Sequence, residues 1–309
     1  MATDDARLHR MLSSWNRDRL GPSLPAAGWR EALREEVARK LAEGEFVERE
    51  RAAVAPLAAL APRDPDGFVA WFERLRETGP GQGDPLFPWL AARATAAELR
   101  WFLVQEVAGE AGFDDLVALS QVKVPVRAKL ELARNYWDEM GRGRAEGMHG
   151  KMLADLAREV GAAGGDEPVV WESLALGNLL VALATTRRYG YHALGALGAI
   201  ELTAPTRAVH VVAGLRRVGV SKDGYRYFAL HATLDLRHSA AWNREVLATL
   251  VAARPEVAPL LAEGALMRLR AGERCFDRYR RELERSSSQP RRARRAASSR
   301  SNRAPTSVR

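Results

Sequence analysis

Apolar residues recur at intervals of three and four along nearly all of the chain before residue 286, with Pro and Gly as punctuation. Ala, Leu, Arg and Glu dominate and β-branched runs are short, which is helical texture. The spacing predicts one or two amphipathic helices over Trp29–Leu60 and another over Asp66–Thr78. Gly79-Pro-Gly-Gln-Gly-Asp-Pro85 reads as a linker and marks a boundary. Beyond it, a long helix is expected from Ala94 to Ser120 and a second from Val126 to Met140, broken by Gly141-Arg-Gly-Arg. A third runs from His149 to Val160, and Ala162–Glu167 is a Gly-rich turn. Helices follow at Trp171–Ala184, Tyr189–Leu202, Thr206–Val218, Tyr225–Val251 and Pro255–Glu284. No strand pattern survives beyond a few residues, so the expected fold is an all-α bundle preceded by a helical N-terminal extension.

Several apolar stripes are interrupted by groups that are costly to bury. On the Ala94–Ser120 helix, Leu99, Phe102, Leu103, Phe113 and Val117 share a face with Glu106 and Glu110. A metal ion or a cationic partner would resolve these carboxylates; alternatively the stripe edge lets them reach water. Glu139 sits between Trp137 and Met140, and His149 follows ten residues later. A regular helix would set that pair about 80° apart, but the glycines between them can bring them together. Glu201 closes a run of small and apolar residues from Gly190. His192 and His210, each nine residues from Glu201, are read as structural, and His9 as solvated.

Within Tyr227–His238, His231, Asp235 and His238 stand at i, i+4 and i+7 and share one helical face. Two imidazoles and a carboxylate converging there suit a redox iron or manganese site. Incidental histidines on a solvated face are the plainer alternative. Taken in order, Glu106 and Glu110, then Glu139 with His149, then Glu201, then His231, Asp235 and His238 follow the logic of a two-metal carboxylate site inside a bundle. So many carboxylates argue against closed tetrahedral zinc.

Charge and composition narrow the function classes. The net charge is +8, but residues 286–309 hold seven arginines and no acid, which leaves about +1 for residues 1–285. The folded part therefore has no nucleic-acid signature of its own. The Arg/Ser-rich tail, 286–309, is expected to be disordered; it solubilises the chain or binds nucleic acid weakly. The one cysteine, Cys275, excludes an internal disulfide and a thiolate metal site and is read as a packing residue. No apolar run is long enough to span a membrane and the N-terminus lacks signal-peptide character, so a cytoplasmic protein is expected.

The ordered set, with Asp138-Glu139-Met-Gly-Arg-Gly…His149, Glu201 and His231-x3-Asp235-x2-His238, resembles the haem-oxygenase-like di-iron oxidases and oxygenases, the iron-containing redox enzymes. The resemblance covers roughly residues 86–285 and leaves 1–85 and the tail outside. It implies a haem-oxygenase-like helical bundle binding two irons, or manganese, with O2 as co-substrate. It implies the ligands Glu106, Glu139, His149, Glu201, His231, Asp235 and His238: Glu106, His149 and His238 on one iron, Glu201, His231 and Asp235 on the other, and Glu139 bridging. Hairpin geometry chooses among the first-helix carboxylates. With a turn between Ser120 and Pro125, Glu106 and Glu139 each lie fourteen residues from it, whereas Glu110 is about 6 Å nearer the turn. Glu110 is then second choice, or a partner that orients the ligands. The implied activity is oxidation of a small amine, amino acid or carboxylate in specialised metabolism, by N-oxygenation, desaturation or C–C cleavage. The alternatives are a metal-free thiaminase-like or quinone-cofactor-synthase-like enzyme of the same fold, and a non-catalytic helical interaction protein. A homodimer is compatible with such a bundle.

Overall fold

The computed structural model describes residues 2–25, 27–163 and 168–288. The Arg-rich tail beyond Ser288 and residues 164–167 of the Gly-rich turn lie outside the described residues. Thirteen α-helices account for the described chain: α1 (Ala2–Leu20), α2 (Trp29–Ala58), α3 (Pro65–Thr78), α4 (Leu86–Ala92), α5 (Ala96–Glu110), α6 (Phe113–Ser120), α7 (Val126–Glu139), α8 (His149–Glu159), α9 (Trp171–Thr185), α10 (Gly190–Arg217), α11 (Arg226–Ala241), α12 (Ala248–Ala253) and α13 (Ala258–Ser288). No strand forms among the described residues; one isolated bridge joins Met140 to Met148. The architecture is all-α.

Helix α10 runs through the middle. Its small residues let neighbours approach at backbone distance. A Cβ on Gly195 would stand 1.9 Å from the Leu261 carbonyl oxygen, and one on Gly264 would stand 1.9 Å from that of His192. Further along the same two helices, the Arg207 guanidinium lies 5.7 Å from the Phe276 ring. Helices α10 and α13 therefore run side by side in the same direction.

The structure departs from the spacing-based reading at three places in the bundle. The stretch Ala94–Ser120 is two helices, because Ala111 (φ 64°) and Gly112 (φ 73°) adopt the left-handed conformation that ends α5. Pro205 does not end a helix: α10 continues through it, leaving the Glu201 carbonyl without the i+4 donor that proline lacks. The Tyr225–Val251 helix contains a π-helical turn at Trp242–Leu247, a feature frequent near functional sites.

The N-terminal helices share the core with the bundle. Leu12, Trp15, Phe46 and Val47 join one continuous apolar cluster with residues of α9, α10 and α13. Asn16 donates to Asn178 at 2.9 Å. Asn178 in turn donates to the His9 carbonyl at 2.9 Å. His9 is not solvated: it is 2 % exposed, stacked on Trp171 and edge-on to Phe46. Burial pulls its pKa down to about 4, so it packs as a neutral ring. His192 has the structural role expected of it, 2.8 Å from Glu263, which also accepts from Arg51. Cys275 is free and fully buried, and burial pushes its thiol up to about 12. No helix among the described residues is long and apolar enough to cross a membrane.

Candidate metal centre

The centre is assembled from four helices and one strained loop. Helix α7 buries Glu131, Asn135 and Glu139 along one face at i, i+4 and i+8. It ends at Glu139, and the chain loops back through residues 141–147. Gly141 (φ 60°), Arg142 (φ 54°) and Gly143 (φ 81°) are all left-handed. A Cβ on Gly141 would meet the Gly147 carbonyl carbon at 2.2 Å, so only glycine lets the loop close. The closed loop starts α8 at His149 and sets His149 Nδ1 2.7 Å from Glu139 Oε2.

Helix α11 adds the other imidazoles. His231 Nδ1 lies 3.0 Å from each carboxylate oxygen of Asp235. Its ring stands 4.8 Å from that of His149, nearly perpendicular. His238 Nδ1 is 3.6 Å from Glu201 Oε2 and 4.0 Å from Asp235 Oδ1. Two groups of donor atoms result, each within 4.8 Å: Glu139, His149 and His231 form one, and Glu139, Glu201 and His238 form the other. Glu139 belongs to both. The grouping pairs His149 with His231 and Glu201 with His238, unlike the partition that the resemblance implies. Asp235 stands between the two groups.

Glu106 and Glu110 both line the adjoining cavity, but among different neighbours. Burial raises the pKa of each. Glu110 feels the nearby charge of Glu139, and its two oxygens accept from the backbone of Gly112 (2.8 Å) and Phe113 (3.1 Å). Glu106 instead faces the charges of Arg207 and Arg268. The hairpin estimate that set Glu106 level with Glu139 assumed an unbroken helix; the turn at Ala111–Gly112 removes that assumption.

The sequence reading missed two supporting residues. Asn135 Nδ2 donates to Glu201 Oε1 at 2.6 Å and stands 3.2 Å from His238 Nδ1. Asp138 Oδ2 holds His238 Nε2 at 3.1 Å and is itself held by Arg142 at 2.6 Å. The i, i+4 spacing of Asn135 and Glu139 was the available signal. Tyr227 was also missed; its ring lies 4.5 Å from that of His231.

Burial and facing charges act against each other across the site. For His231, burial disfavours the charged ring, but the charge and hydrogen bond of Asp235 outweigh it and bring the pKa to about 9. His238 likewise reaches about 9, with burial opposed by Glu201 and Asp138. Glu201 is raised, first by burial and then by the charge of Asp235.

The donor set fits iron. His149 Nδ1, His231 Nε2 and Glu201 Oε2 are buried atoms with no hydrogen-bond partner. The short Glu139–His149 approach is out of line for a hydrogen bond, as expected of two groups aimed at a common point rather than at each other. Buried polar atoms left this way cost about 1–3 kcal/mol each, and a cation between them would remove the cost. Carboxylate and imidazole together suit iron or manganese.

The fold and these two groups define a class: haem-oxygenase-like helical proteins with a buried carboxylate–histidine site. The chain belongs to the iron-containing redox enzyme family, whose model matches residues 100–273. It is similar to a CADD-like protein of unknown function from Nostoc punctiforme PCC 73102, for which two crystal structures match. One gives 22% identity and a TM-score of 0.51 over 77% of this chain and 98% of that chain. The other gives 21% identity and a TM-score of 0.50 over 80% and 98%. That likeness carries the fold. No curated protein matches the chain.

Proposed function

We propose that this protein is a non-haem di-iron, O2-dependent oxidase or oxygenase acting on a small amine, amino acid or carboxylate. The observation that carries the reading is Glu139, shared by two buried groups of donor atoms beside a cavity of about 130 Å3. In this reading His149 and His231 would hold one iron, Glu201 and His238 would hold the other, and Glu139 would serve both. Charge balance supports it: Glu110, Glu139, Glu201 and Asp235 supply four negative charges for two divalent ions. Glu106 is then left to the arginines, so we assign Glu110 to the centre in its place.

Bound iron would supply O2 activation and the electrons that accompany it. The chain's own residues do the rest. Asp235 fixes the His231 ring through Nδ1 and leaves Nε2 facing inward; Asp138 and Asn135 orient His238 and Glu201. The apolar walls, including Phe113, Leu176, Leu180 and Phe228, exclude bulk water and leave room for a small substrate.

The test is anaerobic ferrous loading of the full chain, followed by iron analysis and O2 uptake. Up to two irons per chain are expected. Glu139→Ala should lose both, and His149→Ala about one. Glu110→Gln should lower the iron content, whereas Glu106→Gln should leave it unchanged. A stoichiometry near zero in the wild type would overturn the proposal.

A further inference from the structure

Arg268 on α13 is 9 % exposed and lines the cavity. Among the described residues it makes no hydrogen bond and no ion pair, and its Nε is buried without a partner. Arginine is almost never buried without an anion. The chain makes room for it: a Cβ on Gly272, one turn further along α13, would lie 2.8 Å from Arg268 Nη1.

A second guanidinium comes to the same place. Arg207 on α10 also lines the cavity and reaches back one turn to Thr203, donating to its hydroxyl at 2.9 Å. Arg207 is level with Phe276, whose ring it overlies. Because α10 and α13 run in the same direction, Thr203 and Gly272, each four residues earlier, are level as well. One arginine reaches back and the other forward to that common level. Each feels the charge of Glu106, yet neither is within ion-pair distance of it among the described residues. Arg207 also feels Asp235, but that carboxylate is engaged with His231; Glu106 alone then faces the two arginines, which leaves this end of the cavity one anion short of neutrality.

We propose that Arg207 and Arg268 form a carboxylate anchor, so that the substrate is a small carboxylic acid held by its carboxylate at the arginines, with its apolar body extending toward the metal centre. Two guanidinium groups match the planar oxyanion and its several acceptor sites. Phe87, Phe276 and Val211 provide the apolar walls at this end. The carboxylate is thereby kept off the metal, and the atoms that react are remote from it. The site deepens the proposed function and rests on that reading for its chemistry, but binding at the arginines requires no metal.

The experiment is calorimetric titration and thermal shift on the full chain, with and without ferrous iron under anaerobic conditions. The probes are linear carboxylates from propionate to decanoate, with benzoate and phenylacetate, and the matching alcohols and amines as controls. At least one carboxylate should bind, with an affinity that iron changes by less than about threefold, and its alcohol and amine should not. Arg268→Met should weaken that binding about 10–100-fold, the range for hydrogen bonds to charged groups, and Arg268→Lys should restore it only in part. Without ligand, Arg268→Met should keep or raise the Tm, because it removes an unpaired buried charge; a purely structural ion-pair role would lower it. Iron stoichiometry should stay at the wild-type value, so failure of the metal reading and failure of the anchor are separately visible. Three results would overturn the anchor: no carboxylate binding, binding indifferent to Arg268→Met, or binding that appears only with iron.

Discussion

His231 and His238 titrate near 9 because carboxylates surround them, and this sets the sign of two pH effects. A raised histidine pKa contributes stability to the metal-free fold that is fully present below the unfolded value of about 6.5. That contribution fades as pH rises through about 9. Iron binding at the proposed centre would have the opposite dependence, since these rings would first have to lose their protons. The metal-free chain should therefore lose Tm between pH 6.5 and 9. Its ferrous affinity, measured by anaerobic competition, should tighten by about tenfold or more per pH unit between 6.5 and 8. An affinity flat in pH would show that the histidines are not the groups displaced. At this scale, the sequence displays what helical periodicity places on one face: His231, Asp235 and His238. Asn135 and Asp138 act through the candidate ligands; Asn135 is signalled only by its i, i+4 spacing to Glu139, and Asp138, beside a helix end, carries no signal by itself. The proposed preference for Glu110 over Glu106 rests on which charges each faces, and no spacing rule reports that.

The loop between α7 and α8 carries the element-scale argument. Glu139 ends one helix and His149 begins the next, and three consecutive left-handed residues bring them together. Such conformations cost about 1–3 kcal/mol each unless glycine occupies them. Gly141→Ala would add a Cβ 2.2 Å from the Gly147 carbonyl carbon. It should lower stability by about 1–3 kcal/mol and separate Glu139 from His149, with loss of iron from both groups. Gly150→Ala is the control: it lies in α8, exposed, with nothing within 4 Å of the added Cβ. It should be neutral or stabilise by up to about 1 kcal/mol. Denaturant melts and iron analysis of the two variants would check this; equal behaviour would mean that the loop does not set the ligand spacing. Most helices from Trp29 onward were legible because amphipathic periodicity persists over many turns; α1 and the seven-residue α4 were not. Breaks and continuations were less legible. Ala111 gives no local cue for a left-handed turn, and Pro205 suggests a boundary, yet the buried face formed by Leu202, Thr203, Pro205, Ala208 and Val211 carries α10 through it.

At the scale of the whole molecule, the N-terminal helices look separable by sequence, since Gly79–Pro85 has linker composition and the candidate ligands all follow it. Packing argues that they fold with the bundle. Helix α1 inserts Leu12 and Trp15 into the common core and places His9 and Asn16 on Asn178 of α9. Helix α2 adds Arg51, which pairs with Glu263 at 2.7 Å, and Glu50, which holds Arg274 at 2.8 Å. Gly81 closes the supposed linker onto α13 by donating its N–H to Glu273 at 3.2 Å. The same α9 supplies Leu176 and Leu180 to the cavity wall, so loss of α1 would loosen the site from behind. Asn178→Ala should leave Asn16 and the His9 carbonyl without their buried partner, at a cost of about 1–3 kcal/mol. The full chain should still unfold in one transition. A chain reduced to residues 86–288 would expose the faces of α9 and α13 that α1 and α2 cover, and should lack a cooperative melt and fail to retain iron. If that shorter chain melts cooperatively at the wild-type temperature with its iron in place, the first 85 residues are an appendage, and the core shared across Gly79–Pro85 does not stabilise the metal centre.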